Sequence, residues 1–129
     1  MKRLLASVLL AVALVSSAFA APCTVVGTAG DTKATLSWTA PTTHTDSTPI
    51  TGTLTYNVYR STTTGTEVLF ISGVAGSPFV DSGLTPGVTY FYQVTALESG
   101  NPNESAKTPE GCKSITFSSP SPPSGFSVK

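Results

Sequence analysis

Hydrophobic and polar residues alternate with a period of two along much of the chain, which is typical of β-strands with one buried face. The clearest runs are residues 33–39 (KATLSWT), 54–60 (LTYNVYR) and 88–96 (VTYFYQVTA). A fourth run, residues 67–72 (EVLFIS), is almost continuously apolar. No convincing amphipathic helix follows the N-terminal segment, so the pattern predicts an all-β protein.

Weaker strands and short turns complete this pattern. The weaker strands are predicted at residues 24–29, 78–82 and 112–117. Clusters of Gly, Pro, Asn and Asp separate the runs at short intervals, as in the Thr-Pro-Gly sequence at 85–87. About seven short strands with this spacing predict an antiparallel β-sandwich.

The N-terminal segment has the organisation of a secretory signal peptide. Lys2 and Arg3 precede an apolar run at residues 4–15, and a small-residue cleavage sequence ends at Ala20. The run is shorter than the ~20 apolar residues of a membrane-spanning helix. We therefore expect a signal peptide at residues 1–20 and no membrane span in the mature chain. The mature protein would be secreted, which includes extracellular, periplasmic and cell-surface locations.

Charge and cysteine content narrow the class of partner and the compartment. The chain has seven basic and seven acidic residues, and loss of Lys2 and Arg3 leaves five basic against seven acidic, about −2. No basic patch is visible, which argues against nucleic acid as a partner. In an exported chain Cys23 and Cys112 are expected to form a disulfide. The alternatives are two free buried thiols or, for Cys23, acylation as in a lipoprotein.

Three stretches resemble, in order, the fibronectin type III domain, and its secreted bacterial variety most closely. They are TAGDTKATLSWTAP at 28–41, ITGTLTYNVYRS at 50–61 and FVDSGLTPGVTYFYQVTA at 79–96. The resemblance implies a seven-stranded, immunoglobulin-like sandwich with strands A-B-E against C′-C-F-G. The family markers and the alternating apolar positions together give this expected core: Trp38, Tyr56, Val58, Leu84, Tyr90, Tyr92 and Val94. The domain is expected at residues 21–118.

The resemblance also implies a turn and a place for the disulfide. Pro86 and Gly87 would form the corner between two strands, and the hydroxyl of Tyr90 would reach a backbone group just upstream, as in a tyrosine corner. Family members usually lack disulfides, so Cys23 and Cys112 are a departure. The implied topology places both at one pole of the sandwich, where a bridge would fix the base of the 98–111 loop.

The residue types that usually carry catalysis are sparse and poorly arranged. His44, the one histidine, lies in a predicted loop two residues before Asp46, and two ligands on a loop make a poor metal site. Glu98, Glu104 and Glu110 could offer oxygens to calcium, but their spacing fits no compact loop. No serine has the glycine-flanked context of a hydrolase nucleophile. We expect a protein that is not an enzyme, with no cofactor and no metal.

Two aromatic residues lie out of phase with the expected core. If Tyr56 and Tyr90 face inward, Tyr59 and Phe91 face outward on neighbouring strands. Such a strip marks either a surface for a protein or glycan or cross-strand packing that only stabilises the sheet. The sequence therefore predicts a secreted interaction or spacer module with an extracellular protein or glycan partner. The alternatives are a glycan-binding accessory domain and a structural subunit that assembles with copies of itself.

The C-terminal residues 119–129 differ from the domain in composition. They are rich in Ser and Pro at first, which predicts an extended tail or linker. Phe126 and Val128 follow at alternate positions. This end of the segment is interpreted as an unstructured tail, as the start of another similar domain, or as a strand that docks elsewhere.

Overall fold

Six β-strands and no long helix make up the part of the chain that the structure describes. The computed structural model describes residue 23 and residues 27–128. Its strands are β1 (Lys33–Leu36), β2 (Leu54–Ser61), β3 (Val68–Val74), β4 (Phe79–Ser82), β5 (Thr89–Glu98) and β6 (Gly111–Ser114). None of these residues lies in a helix long and apolar enough to cross a membrane. The expected signal peptide lies outside the described residues.

The strands form two antiparallel sheets, as the alternating pattern predicted. The smaller sheet contains β1 and β4, and the order in the larger one is β3-β2-β5-β6. These correspond to strands B and E, and to C′, C, F and G, of the expected sandwich. The pairing of β2 with β5 is the longest, from Leu54 opposite Glu98 to Ser61 opposite Phe91. The prediction of an all-β sandwich is confirmed at this level.

The prediction of seven strands is not confirmed, because the described residues form six. The seventh was expected at residues 24–29, and residues 24–26 lie outside the described part. Gly27 shows how this segment approaches the larger sheet: its amide donates to the carbonyl of Ser114 at 2.8 Å. The N-terminal segment therefore contacts β6 rather than extending the smaller sheet at this point.

Strand β1 is shorter than the alternating run at 33–39 predicted. It ends at Leu36, which lies opposite Phe79. The next residue on that side is Pro78, which has no amide hydrogen to donate to the ladder. Trp38 therefore lies beyond the strand, and its own amide donates to Oγ of Ser77 at 2.9 Å.

Apolar side chains from both sheets fill the space between them. The buried cluster consists of Ala34, Tyr56, Val58, Leu84, Tyr90, Tyr92, Val94 and Ile115. It includes all of the expected core residues except Trp38. That residue is partly buried against the cluster, with its ring centroid 5.1 Å from that of Tyr56. Its position at the margin follows from the early end of β1.

The corner before β5 has the geometry that Thr-Pro-Gly and the following tyrosine predicted. Gly87 has a φ of 83°, a value that side chains with a Cβ rarely adopt. A Cβ at this position would lie 2.6 Å from the ring of Phe117, so the space is also occupied. The amide of Thr85 donates to the hydroxyl of Tyr90 at 3.1 Å. This bond links the start of the corner to the strand that follows it.

A buried ionic contact joins the two sheets on the side of β3. Nη1 of Arg60 and the hydroxyl of Tyr92 both donate to Oδ2 of Asp81, each at 2.8 Å. Asp81 is only 3% exposed. Burial, and secondly the bond to Asp81, raise the pKa of Tyr92. The guanidinium of Arg60 also lies 3.6 Å from the ring centroid of Phe70, so this contact reaches the edge strand.

A disulfide and an ion pair attach the N-terminal segment on the opposite side. Cys23 and Cys112 are bonded, with their Cα atoms 5.6 Å apart. Nζ of Lys113 lies 2.7 Å from Oδ2 of Asp31. The hydrogen bond from Lys113, more than any other contact, lowers the pKa of Asp31. Residues on β6 are thus fastened to the segment that precedes β1.

Candidate functional site

The outer face of the larger sheet carries both of the predicted binding residues. Tyr59 on β2 lies opposite Gln93 on β5, and Ser61 lies opposite Phe91. Tyr59 and Phe91 are therefore diagonal neighbours on one face, at a Cα separation of about 7–8 Å for such pairs. Both side chains are partly buried. The structure brings the two residues together, with the side chain of Gln93 on the same face.

Residues of the two flanking strands extend this face. Leu69 on β3 lies opposite Tyr59, and it is 53% exposed. Cys112 on β6 lies opposite Phe91, which places the disulfide beside that ring. The outer face is therefore bordered by exposed apolar side chains at β3 and by the disulfide at β6.

The loop between β5 and β6, residues 99–110, follows the second half of β5. The amide of Ser105 donates to the carbonyl of Ala96, and the amide of Thr108 donates to the carbonyl of Val94, each at 2.9 Å. The amides of Ala96 and Val94 in turn donate to the hydroxyl oxygens of Ser105 and Thr108, at 2.8 and 3.0 Å. The loop thus both donates hydrogen bonds to β5 and accepts them from it. This pairing holds the loop against the strand, and the loop forms part of the site.

Glu104 of this loop reaches over the outer face and accepts three hydrogen bonds. The hydroxyl of Tyr59 donates to its Oε1 at 2.7 Å, Nδ2 of Asn57 donates at 3.0 Å, and Oγ1 of Thr95 donates to the same atom. These three bonds lower the pKa of Glu104, and the bond from Thr95 has the largest effect. The bond between Tyr59 and Glu104 raises the pKa of Tyr59. Nζ of Lys107 lies 4.1 Å from the Tyr59 ring centroid, so the ring is held in one orientation.

A second polar group lies at the pole where the 41–50 loop meets the end of β5. Nε2 of His44 lies 2.6 Å from Oε2 of Glu98. The other oxygen of Glu98 accepts the amides of Thr51 and Gly52 at 2.9 and 2.6 Å. The bond from the Gly52 amide, followed by that from His44, lowers the pKa of Glu98, and Glu98 raises the pKa of His44. His44 lies in a loop, as the sequence predicted, and its side chain is partly buried against this carboxylate.

A groove of about 480 Å³ lies beside this contact. Its walls include His44, Asp46, Ile50, Glu98, Asn101 and Glu104. The groove links the pole to the outer face, since Glu104 belongs to both. Its lining combines hydroxyls, amides and carboxylates with apolar side chains such as Ile50 and Leu54, so it offers partners to both the hydrogen-bonding and the apolar parts of a ligand.

The three glutamates that the sequence suggested as calcium ligands are engaged separately. Glu98 joins the pole, Glu104 joins the outer face, and Glu110 accepts the amide of Gly65 at 2.8 Å and the hydroxyl of Thr64. No cluster of three or more His, Cys, Asp or Glu suited to a metal occurs among residues 23 and 27–128. The acidic side chains of this region therefore hold loops in place.

Sequence reasoning did not identify Glu104 as the residue that fixes Tyr59. The two are separated by 45 positions, and no local pattern links them. The signal that was available is the predicted outward direction of Tyr59, Asn57 and Thr95, which together present three donors. A carboxylate in the neighbouring loop is the complementary group for such a set.

Comparison with known proteins supports the fold that the strand order describes. Neither protein-family models nor curated proteins match the sequence. Among solved structures, the chain is similar to an Fn3-like protein from Clostridium thermocellum, with a TM-score of 0.52 and 23% identity. The match covers 73% of this chain and 88% of that one. At this identity the likeness shows the fold alone, and it agrees with the sheet order and the tyrosine corner: the chain has a fibronectin type III-like fold.

Proposed function

We propose that the chain is a secreted, non-catalytic interaction or spacer module that presents the outer face of its larger sheet to an extracellular partner. The observation that carries this proposal is the fixed position of Tyr59, whose hydroxyl is bound to Glu104 and whose ring lies against Lys107. A side chain held in this way loses little conformational entropy on binding. The disulfide supports secretion, because such bonds persist in oxidising compartments.

The polar groups that could act as acids or bases have structural partners, which supports a non-catalytic role. His44 and Glu98 bind each other, and Glu98 also accepts two loop amides. Asp81 binds Arg60 and Tyr92 between the sheets. A general base needs access to a substrate proton, and these groups are committed to holding the fold together.

Secretion is tested by expressing the full-length chain in a bacterium with an export pathway. We expect the protein outside the cytoplasm, with Ala21 as its first residue and no thiol that reacts before reduction. A version without residues 1–20 serves as the matched control and should remain inside with its cysteines reduced. Recovery of the full-length protein from the cytoplasm with residues 1–20 intact would contradict the proposal.

A glycan is the partner class that the outer face favours. Aromatic rings with an adjacent amide are suited to sugars, since a ring contacts C–H groups and an amide bonds hydroxyls. Tyr59, Phe91 and Gln93 provide this combination on one face. The groove at the pole adds further carboxylate and amide groups next to it.

Glycan-array binding of the mature chain with its disulfide intact tests the proposal of a glycan partner. We expect Tyr59→Ala and Phe91→Ala each to weaken binding at least about tenfold, as for aromatic anchors in other interfaces. Tyr59→Phe is the matched control, because it keeps the ring and removes only the bond to Glu104. Binding that survives both alanine substitutions would remove this face from consideration. If no glycan binds, the glycan proposal is wrong.

A further inference from the structure

The free edge of β3 exposes a run of four apolar side chains. Val68, Leu69, Phe70 and Ile71 are 67%, 53%, 40% and 39% exposed. Within the described residues β3 pairs only with β2, so the backbone groups on its other edge have no strand partner. Strand β3 contains no charged residue and no proline, which are the usual devices that discourage pairing at an edge. The edge is therefore able to accept another strand.

The first half of β3 is the receptive part. Val68 and Leu69 are in regular register with Arg60 and Tyr59, whereas the pairing shifts beyond this point. Such irregularities twist a strand and discourage further pairing. The first shift falls between Leu69 and Ile71, so the start of β3, at Val68 and Leu69, is the part left in regular register and best able to accept a further strand.

Two carboxylates that form no ion pair with any described residue lie at the start of this edge. Glu67 immediately precedes β3, and Gly65 donates its amide to Glu67 and to Glu110, at 3.3 and 2.8 Å. Burial, followed by the bond to Glu110, raises the pKa of Glu67, and that bond lowers the pKa of Glu110. The described ion pairs include neither carboxylate. Lys107 reaches only the backbone carbonyl of Glu67.

The C-terminal segment has the complementary pattern. Phe126 and Val128 are 86% and 83% exposed, and they alternate with polar Ser127. Lys129 follows in the sequence, so two apolar side chains precede one cation. An extended segment with this order places both apolar residues on one face.

The position of the tail favours a second copy over its own β3. The amide of Gly87 donates to the carbonyl of Ile115, so the tail leaves beside β6, at the opposite edge of the larger sheet. Three strand spacings, about 14 Å, separate these edges. Prolines at positions 120, 122 and 123 make the intervening segment extended and stiff. To reach its own β3 the segment would have to turn back across a sheet face.

We propose that residues 126–129 of a second copy add to the free edge of β3 as an antiparallel strand. In this alignment Val128 lies beside Val68, Phe126 lies beside Phe70, and Lys129 reaches the Glu67 and Glu110 carboxylates. A parallel alignment would place the lysine near Ser72, away from the acidic pair. Reciprocal exchange between two copies closes a dimer, and one-way exchange produces a chain of subunits. This association goes beyond the proposed function and uses a different surface.

Sedimentation of the disulfide-closed mature chain over a concentration series tests the association. We expect a mass above that of the monomer that rises with concentration. Phe126→Ala and Val68→Lys should each weaken association at least about tenfold, because these two positions lie in the proposed contact. Val80→Lys is the matched control, because Val80 is 49% exposed on the edge strand of the smaller sheet and should have no effect. Unchanged melting midpoints show that the variants remain folded.

Two further arms test the alignment and the exchange between copies. Lys129→Glu should weaken association, and an unchanged affinity would overturn the antiparallel alignment. A chain lacking residues 124–129 and the Val68→Lys chain should each be monomeric alone and form a 1:1 complex when mixed. A wild-type chain that is monomeric at every concentration, or an association that survives both Phe126→Ala and Val68→Lys, overturns the proposal. Tyr59→Ala and Phe91→Ala should leave the mass unchanged, which separates this outcome from that of glycan binding.

Discussion

The two edges of the larger sheet are built from similar short strands but are finished differently. The β6 edge is covered by the N-terminal segment, through the amide of Gly27 and the bridge from Cys23 to Cys112. Among the described residues no strand pairs with the outer edge of β3, although the side chains of β3 are far more apolar. Apolar content does not decide whether a strand is buried; the segments that lie next to it in space do. The edge at β6 is thus held by contacts within the chain, and the edge at β3 is a surface available for binding.

The contacts that stabilise the β6 side and the β3 side of the sandwich also differ in kind. On the β6 side the fastening is covalent, with an additional ion pair between Lys113 and Asp31. On the β3 side it is a buried carboxylate, Asp81, that receives donors from Arg60 and Tyr92. A disulfide acts largely on the unfolded chain, whereas a buried ion pair acts on the folded one. The two sides should therefore respond independently to perturbation.

Loss of the disulfide is expected to have the largest effect. The bridged cysteines are 89 residues apart, and closing a loop of that length contributes about 4 kcal/mol in the chain-entropy account. The free energy of unfolding of Cys23→Ser/Cys112→Ser, measured with urea, should fall by about that amount. Reductant should lower the wild type to the same value and leave the double variant unchanged. A loss below about 1 kcal/mol would mean that noncovalent contacts alone secure the β6 edge.

Removal of the buried carboxylate should come second. Asp81→Ala leaves the Arg60 guanidinium without its partner and the Tyr92 hydroxyl without an acceptor, and we expect a loss of about 3 kcal/mol. Asp81→Asn is the matched control, since it keeps the size and one acceptor, and it should cost less. Because the disulfide lies on the other side, its removal and Asp81→Ala should add within about 0.5 kcal/mol. Strong non-additivity would show that the two sides are not independent.

The sequence predicted those features whose causes are local. Alternation of apolar and polar residues identified β2 and β5, and the Thr-Pro-Gly corner followed from the conformations of Pro86 and Gly87. The end of β1 was missed because its cause, Pro78, lies just before the partner strand β4. The residues around Ser37 carry no signal that the residue which would pair with it lacks an amide hydrogen. The alternation of apolar and polar residues therefore predicted where the strands lie better than it predicted where they end.

The candidate site was predictable only in part. The outward directions of Tyr59 and Phe91 follow from alternation, and the structure places both on one face. The partial burial of Tyr59 was not predictable, because Glu104, which accepts its hydroxyl, lies 45 positions away in a loop. Such contacts depend on how a loop folds back, and local sequence carries no signal for that. The same holds for His44, whose partner Glu98 lies at the end of a distant strand.

The tyrosine corner on the covered side should show a smaller effect. Tyr90→Phe removes the acceptor for the amide of Thr85 and should cost about 1 kcal/mol. The effect is limited because Gly87 and Ile115 keep their own backbone bonds around the corner. Thermal unfolding compares this variant with Tyr56→Phe, which removes a hydroxyl from the buried cluster elsewhere. Equal losses in both would mean that the corner bond has no particular importance.

The contact between His44 and Glu98 should have the smallest effect, and that effect depends on pH. Glu98 raises the pKa of His44 above its usual 6.5, so the contribution to stability is complete below about pH 6.5 and is lost as pH rises through the folded-state pKa. The pKa of Glu98 is lowered, chiefly by the Gly52 amide. The contribution of Glu98 to stability is therefore present above its usual pKa of 4.5 and is lost as pH falls through its folded-state pKa.

Melting midpoints at pH 6 and pH 8 test the His44 contribution. They should differ more for the wild type than for His44→Asn, and the wild type should be more stable at pH 6 than at pH 8. Because the contact lies at the pole, between the two edges, His44→Asn should leave the reduction of the disulfide and the mass of any assembly unchanged; a change in either would mean that the pole controls an edge.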